Sequence, residues 1–214
     1  MVPVMTPEES ESADLVRRAR AGDARAKAEL FERYRDRLRL MVRLRLDRRL
    51  YGRLDPSDVL QEAYLDMARR FDEYAAQPAV PFYLWARALT GQRLVDVHRQ
   101  HLGAQMRAAG QEVALYRGAL PQADSASLAN QLLGRLTSPT QAAVRAEMQI
   151  RLQEALNAMD SMDREVLVLR HFENLGNRET AAVLGLQTSA ASKRYIRALA
   201  KLKDILDAIP GFFD

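Results

Sequence analysis

From residue 14 onward, apolar positions recur at steps of three and four, and no two-residue alternation is sustained. That spacing predicts helices throughout, because one face of a helix repeats every 3.6 residues. Ten glycines and eight prolines, gathered mainly at the breaks, are too few for a many-stranded sheet. The expected fold class is therefore all-α. Gly22-Asp23 interrupts the pattern early, where glycine can end one helix and aspartate cap the next. A long arginine-laden helix follows, with Leu30, Tyr34, Leu38 and Met41 along one stripe. Asp55 before Pro56 predicts the N-cap of another helix with proline at its first position. After the proline-bearing loop "AAQPAVP", a helix opens at Phe82.

The pattern then weakens. Residues 103–140 are small, polar and weakly periodic, with room for partial helix in "GAQMRAAGQEV" and a transient helical turn beyond it, and they are longer than an ordinary loop within a domain. They predict a flexible linker between two small helical domains, residues 14–102 and 141–209. Residues 1–13 carry three glutamates and two prolines and predict a mobile tail. The arginine ladder over residues 33–53 predicts a mostly solvated face, with DNA or a protein as the alternative.

Composition narrows the chemistry. The chain of 214 residues has no cysteine, which excludes disulfides, thiolate metal sites and cysteine nucleophiles and suits a reducing cytoplasm. No stretch approaches the roughly 18 apolar residues that span a bilayer, and the N-terminus lacks the pattern of a secretory signal. His98 and His101 are three apart on a helix, but no third ligand accompanies them, so no metal is expected. With no glycine-rich phosphate loop and no nucleophile elbow, neither a cofactor nor enzymatic activity is expected. A net charge of +4 is compatible with nucleic acid without requiring it.

Two segments carry candidate chemistry. In "NRETAAVLGLQTSAASKRYIRAL", residues 177–199, Gly185 supplies a turn between two helices. Ala181 and Ala182 permit a close crossing, and Ala191, Tyr195, Ala198 and Leu202 share one face of the second helix. Ser189, Ser192, Lys193, Arg194 and Arg197 supply the hydroxyls and cations that a major-groove reader needs, and Arg178 is placed to touch phosphate. An αα-hairpin with a solvated charged side fits the same spacing. In "DPSDVLQEAYLDMARRFDEY", Leu60, Tyr64, Met67 and Phe71 form a buried stripe. Asp58, Gln61, Glu62, Leu65 and Arg69 form the other face, where a leucine among acids and amides suits a protein interface.

At this point the chain resembles the extracytoplasmic-function (ECF) group of bacterial sigma factors, the promoter-recognition subunits of RNA polymerase. The resemblance rests on Gly22-Asp23, Ala26 and "ELFERY", then on "DVLQEAY" over residues 58–64. Phe82 and Trp85 follow, with Asp96 and Arg99 eleven and fourteen residues beyond the tryptophan. "REVLVLRHFENL", a glutamate-alanine helix, "LGL" and a basic helix ending "RALAKLKDIL" complete it. Members usually carry Arg-Asn where this chain has Gly91-Gln92, and Gly-Thr-Val where it has Ser189-Ala190-Ala191. Both departures fall where bases would be read.

The resemblance implies a function: binding core polymerase and directing promoter recognition and initiation. Asp58, Gln61, Glu62 and Leu65 would contact the coiled coil of the polymerase's largest subunit, the alternative being that Asp58 and Glu62 only cap or charge a solvated helix. Trp85, Gln92, Arg93 and Arg99 would contact the minus-ten element; for Trp85, a core role is equally open. Residues 141–209 would hold the minus-thirty-five element as duplex through the hairpin. An anti-sigma factor is a common partner in the family, and no residue here singles one out. The competing reading is a helix-turn-helix regulator that binds duplex DNA without polymerase, and a weaker one is a protein-binding helical adaptor.

Overall fold

The computed structural model describes residues 7–108, 120–136 and 142–209. Among them every regular element is helical and no strand occurs. The contacts divide the chain into two compact units, one of residues 7–42, 46–108 and 120, the other of residues 43–45, 121–136 and 142–209.

The first unit begins with α1 (Pro7–Arg20), followed by α2 (Ala24–Arg45), a short 3-10 turn (Arg48–Leu50), α3 (Pro56–Ala76) and α4 (Phe82–Ala108). Helix α1 corrects the expected tail over residues 7–13, because the chain is helical from Pro7, and residues 1–6 lie outside the described residues. Two of its acids are matched across the unit. Glu8 and Glu11 pair with Arg37 and Arg33 of α2 at 2.6 and 2.8 Å, the buried Ser12 hydroxyl lies 2.6 Å from that of Tyr34, and Leu15 and Val16 are buried. Part of the arginine ladder is thus structural: Arg37 also stacks 3.8 Å from the Tyr83 ring.

Asp23 caps α2 by accepting from the N–H groups of Arg25 and Ala26, both at 3.0 Å. These backbone bonds, with the Arg18 guanidinium, hold its carboxyl below the usual aspartate range. Helix α3 starts as expected at Asp55, which accepts from Ser57 N–H at 2.7 Å, while Asp58 reaches back to Asp55 N–H at 3.0 Å. Leu60, Met67 and Phe71 are buried and Tyr64 half-buried, so the predicted stripe is the one that packs. Burial of a side chain the size of Phe71 contributes about 1.5–3 kcal/mol. Around it lie Phe31, Tyr74 and Phe82, with ring centroids 5.8–6.5 Å apart.

The second unit holds α5 (Ser125–Leu136), α6 (Ala142–Ala158), α7 (Ser161–Leu167) running into a π-helical turn (Val168–Phe172), α8 (Asn177–Leu184) and α9 (Thr188–Asp207). Helix α5, and α4 extending to Ala108, correct the expected linker over residues 103–140. Ala126, Leu128, Ala129 and Leu133 of α5 are buried, and the helix packs on α6. Residues 109–119 and 137–140 of that linker, with residue 141, lie outside the described residues.

Candidate nucleic-acid and polymerase interfaces

On α3, the face opposite the buried stripe is open. Asp58, Gln61, Glu62 and Arg69 are exposed, and Leu65 is 55% exposed between them. An exposed leucine between acids and an amide on a capped, well-packed helix is compatible with a protein-binding surface. Asp58 has two roles available, because its carboxylate also closes the capping box.

On α4, Gln92, Asp96 and Arg99 lie along one exposed stripe at steps of four and three, with Asp96 and Arg99 3.9 Å apart. Trp85 is half-buried and stacks on Tyr74 with centroids 4.5 Å apart and an interplanar angle of 21°. One of its faces is therefore occupied by protein. Phe82 is core, at 3% exposure. Arg93, grouped by sequence with the minus-ten residues, points instead to α3: it bonds Asp66 and lies 3.6 Å from Glu62. The Asp66 bond and charge keep its guanidinium firmly protonated.

Gly91, which the sequence already marks as a departure from the family pattern, is buried. A Cβ there would lie 2.2 Å from Leu120 Cδ2, so the chain beyond α4 returns to fill the space a side chain would take.

The two histidines separate. His98 is buried and accepts the Asp47 N–H at Nε2, 3.1 Å, whereas His101 is exposed. Burial pushes the His98 pKa down. No group of three side chains able to hold a metal occurs among the described residues.

In the second unit, the hairpin has helix-turn-helix geometry. Helix α8 ends at Gly185 with φ +64°, and Leu186 N–H returns to the Ala181 carbonyl at 2.9 Å. Asn177 Nδ2 donates to the Thr188 carbonyl at 3.0 Å, tying the start of α8 to the start of α9. Ala181, Ala191 and Ala198 are buried in the crossing, while Ala182 is exposed and plays no part in it. Ser189, Lys193 and Arg197 are exposed on one side of α9, Ser192 is half-buried beside them, and Arg178 is exposed on α8. Arg194 is turned away from that group and pairs with Asp163 at 2.7 Å and Asp160 at 3.1 Å. Ile196, which sequence analysis passed over, is 63% exposed between Lys193 and Arg197. The signal was an isoleucine off the buried face of an amphipathic helix.

The family model for ECF sigma factors matches residues 9–208. ECF RNA polymerase sigma factor SigD of Mycobacterium tuberculosis (strain ATCC 25618 / H37Rv) is 30% identical over 202 residues, covering 94% of this chain and 87% of that protein. RNA polymerase sigma factor CnrH of Cupriavidus metallidurans is 30% identical over 206 residues, covering 95% and 98%. A solved structure of CnrH in complex with the cytosolic domain of CnrY matches with a TM-score of 0.54 at 25% identity, over 92% of this chain and 98% of that one. The competing regulator reading is not favoured by any of these, and the chain belongs to the ECF sigma factors.

Proposed function

We propose that this ECF sigma factor divides its work between its two units, each with its own surface. The α3 face of Asp58, Gln61, Glu62 and Leu65 docks on core polymerase. Its exposed leucine, set among acids on a capped helix, is the observation that carries the reading. DNA would repel that acidic face, whereas a protein surface can bury the leucine and pair the acids.

The α4 stripe of Gln92 and Arg99 contacts the minus-ten element, with Trp85 offering its outer face to an unpaired base. Arg93, tied to α3, acts by holding α4 rather than by touching DNA. In the second unit, Ser189, Ser192, Lys193 and Arg197 face the minus-thirty-five duplex, with Arg178 on phosphate, and Arg194 braces the helix that carries them. CnrH was solved with the cytosolic domain of CnrY, and we extend the expectation of a regulatory anti-sigma partner to this chain without assigning it residues. The protein acts in the cytoplasm and catalyses nothing itself; polymerisation belongs to its partner. No described helix is long and apolar enough to cross a membrane.

Run-off transcription with purified bacterial core polymerase and a library of promoter fragments tests this. Specific initiation that depends on the chain is expected. Failure with several cores, alongside tight duplex binding by the free protein, would overturn it.

A further inference from the structure

The loop between α2 and α3, "LDRRLYGRL" over residues 46–54, is assigned nothing by the reading above. It is built rather than loose. Leu46 and Leu50 are buried in a cluster with Met41, Val59, Leu94 and Val95, and Leu54 packs against it. Its backbone closes on itself through Leu50 N–H to Asp47 O at 2.9 Å, Tyr51 N–H to Arg48 O at 3.1 Å and Arg53 N–H to Leu50 O at 3.0 Å. Gly52, at φ +85°, makes the reversal that leads into Arg53.

That scaffold presents its arginines unequally. Arg49 is committed to the loop's own acid, with Nε and Nη2 at 2.9 and 2.7 Å from the Asp47 carboxylate oxygens. Arg48 and Arg53 are exposed, and neither has an acidic partner within 4 Å among the described residues. Between them Tyr51 is 42% exposed. Two cations flanking an aromatic ring on a preformed turn suit a nucleic-acid strand: the cations take phosphates and the ring takes a sugar or base face. An acidic protein surface would satisfy the arginines but gives the ring no particular role.

The loop's position points the same way. The Asp47 N–H bonds His98 Nε2 at 3.1 Å, and His98 lies between Asp96 and Arg99 in the sequence of α4. The loop is therefore pinned to the same part of α4 that carries the exposed Asp96 and Arg99. We propose that residues 48–53 are a further promoter-DNA contact, in which Arg48 and Arg53 hold backbone phosphates next to the minus-ten segment and Tyr51 packs on the strand between them. This rests on the assignment of α4 to the minus-ten element.

Because the turn is already ordered, little conformational entropy opposes the contact. The test uses holoenzyme assembled on a promoter fragment that the wild-type protein has selected from a library. Arg48→Ala/Arg53→Ala should weaken promoter binding about tenfold and make the slope of log affinity against log salt shallower by about one to two units. Tyr51→Ala should weaken binding while leaving the slope unchanged. Thermal melting of the free Arg48→Ala/Arg53→Ala variant should match wild type, since both side chains are exposed. A loss of core affinity with an unaltered salt slope would make the loop a polymerase contact and overturn the proposal. Unchanged binding to both would return the loop to solvent. Wild-type protein that fails to bind core or initiate would overturn the sigma assignment and the loop with it; active wild type with inert loop variants overturns the loop alone.

Discussion

The Arg194 guanidinium bonds the Asp163 carboxylate at 2.7 Å, so this cation of α9 braces the fold. Asp160, its second partner, also caps α7 by accepting from Met162 N–H and Asp163 N–H at 3.0 and 3.2 Å. Removing Arg194 leaves two half-satisfied carboxylates at a helix start. Arg194→Ala should therefore cost about 1 kcal/mol, which is about 4–8 °C in melting temperature for a small unit. Arg197→Ala, at an exposed position, should leave melting unchanged, weaken DNA affinity and make the salt slope shallower by about one unit. Calorimetry and salt-dependent anisotropy read the two effects separately. If Arg194→Ala melted like wild type and shifted the slope, the arginine would belong to DNA.

A second prediction concerns acid. His98 is buried as a hydrogen-bond acceptor for the Asp47 N–H, and protonation would turn that acceptor into a donor facing a donor. Burial lowers its pKa, and Arg49 adds to this while Asp47 opposes it. With the folded-state pKa below the unfolded value near 6.5, the unfolded chain takes up the proton first as pH falls. Stability should be full above about pH 7 and decline below about 6.5, by at most about 1.4 kcal/mol per pH unit for one proton. Urea titrations at several pH values should show the stability difference between wild type and His98→Gln shifting towards the variant in acid. Parallel pH profiles would remove His98 as the cause.

How much of this could be read from residue order follows from the range of each interaction. The α3 stripe and the Gly185 turn were legible because Leu60, Met67 and Phe71 repeat at helical spacing, and because the left-handed turn at Gly185 is local. Helix α1 was not, since its acids find Arg33 and Arg37 more than twenty residues away. Helix α5 was hidden by its small residues: Ala126 and Ala129 are buried, yet in sequence they read as linker. The ion pairs of Arg93 and Arg194 were hidden for the same reason. Arg93 and Arg194 lie on plausible DNA-facing helices, and only the fold brings Asp66 and Asp163 to them.

For the polymerase face, Leu65 is the sharper probe. Its side chain is 55% exposed and contributes little to the free fold. Leu65→Ala should reduce core affinity about tenfold, the scale of an interface anchor, with no change in melting. Asp58→Arg should also weaken core binding, but it removes the carboxylate that accepts from Asp55 N–H at 3.0 Å. A further loss of about 1 kcal/mol in stability is expected from the broken cap. Core titrations by anisotropy, paired with melting curves, distinguish the two. Unaltered core affinity for Leu65→Ala would take the leucine out of the interface.

Gly91 and Leu120 give a prediction that turns on coupling. A methyl at position 91 would meet Leu120 Cδ2 at 2.2 Å and Cγ at 2.9 Å. Because both atoms are struck, Leu120 must leave rather than rotate one methyl aside. Alanine in mid-helix is worth about 1 kcal/mol over glycine, whereas overpacking of this kind costs about 1–3 kcal/mol. Gly91→Ala should thus be neutral to destabilising in the wild-type chain. In a Leu120→Ala background the clash is gone, and the same change should stabilise by about 0.5–1 kcal/mol. Urea unfolding of the four proteins in the double-mutant cycle should give a coupling energy of about 1 kcal/mol or more. Additive effects would mean that Leu120 does not sit on Gly91 in solution.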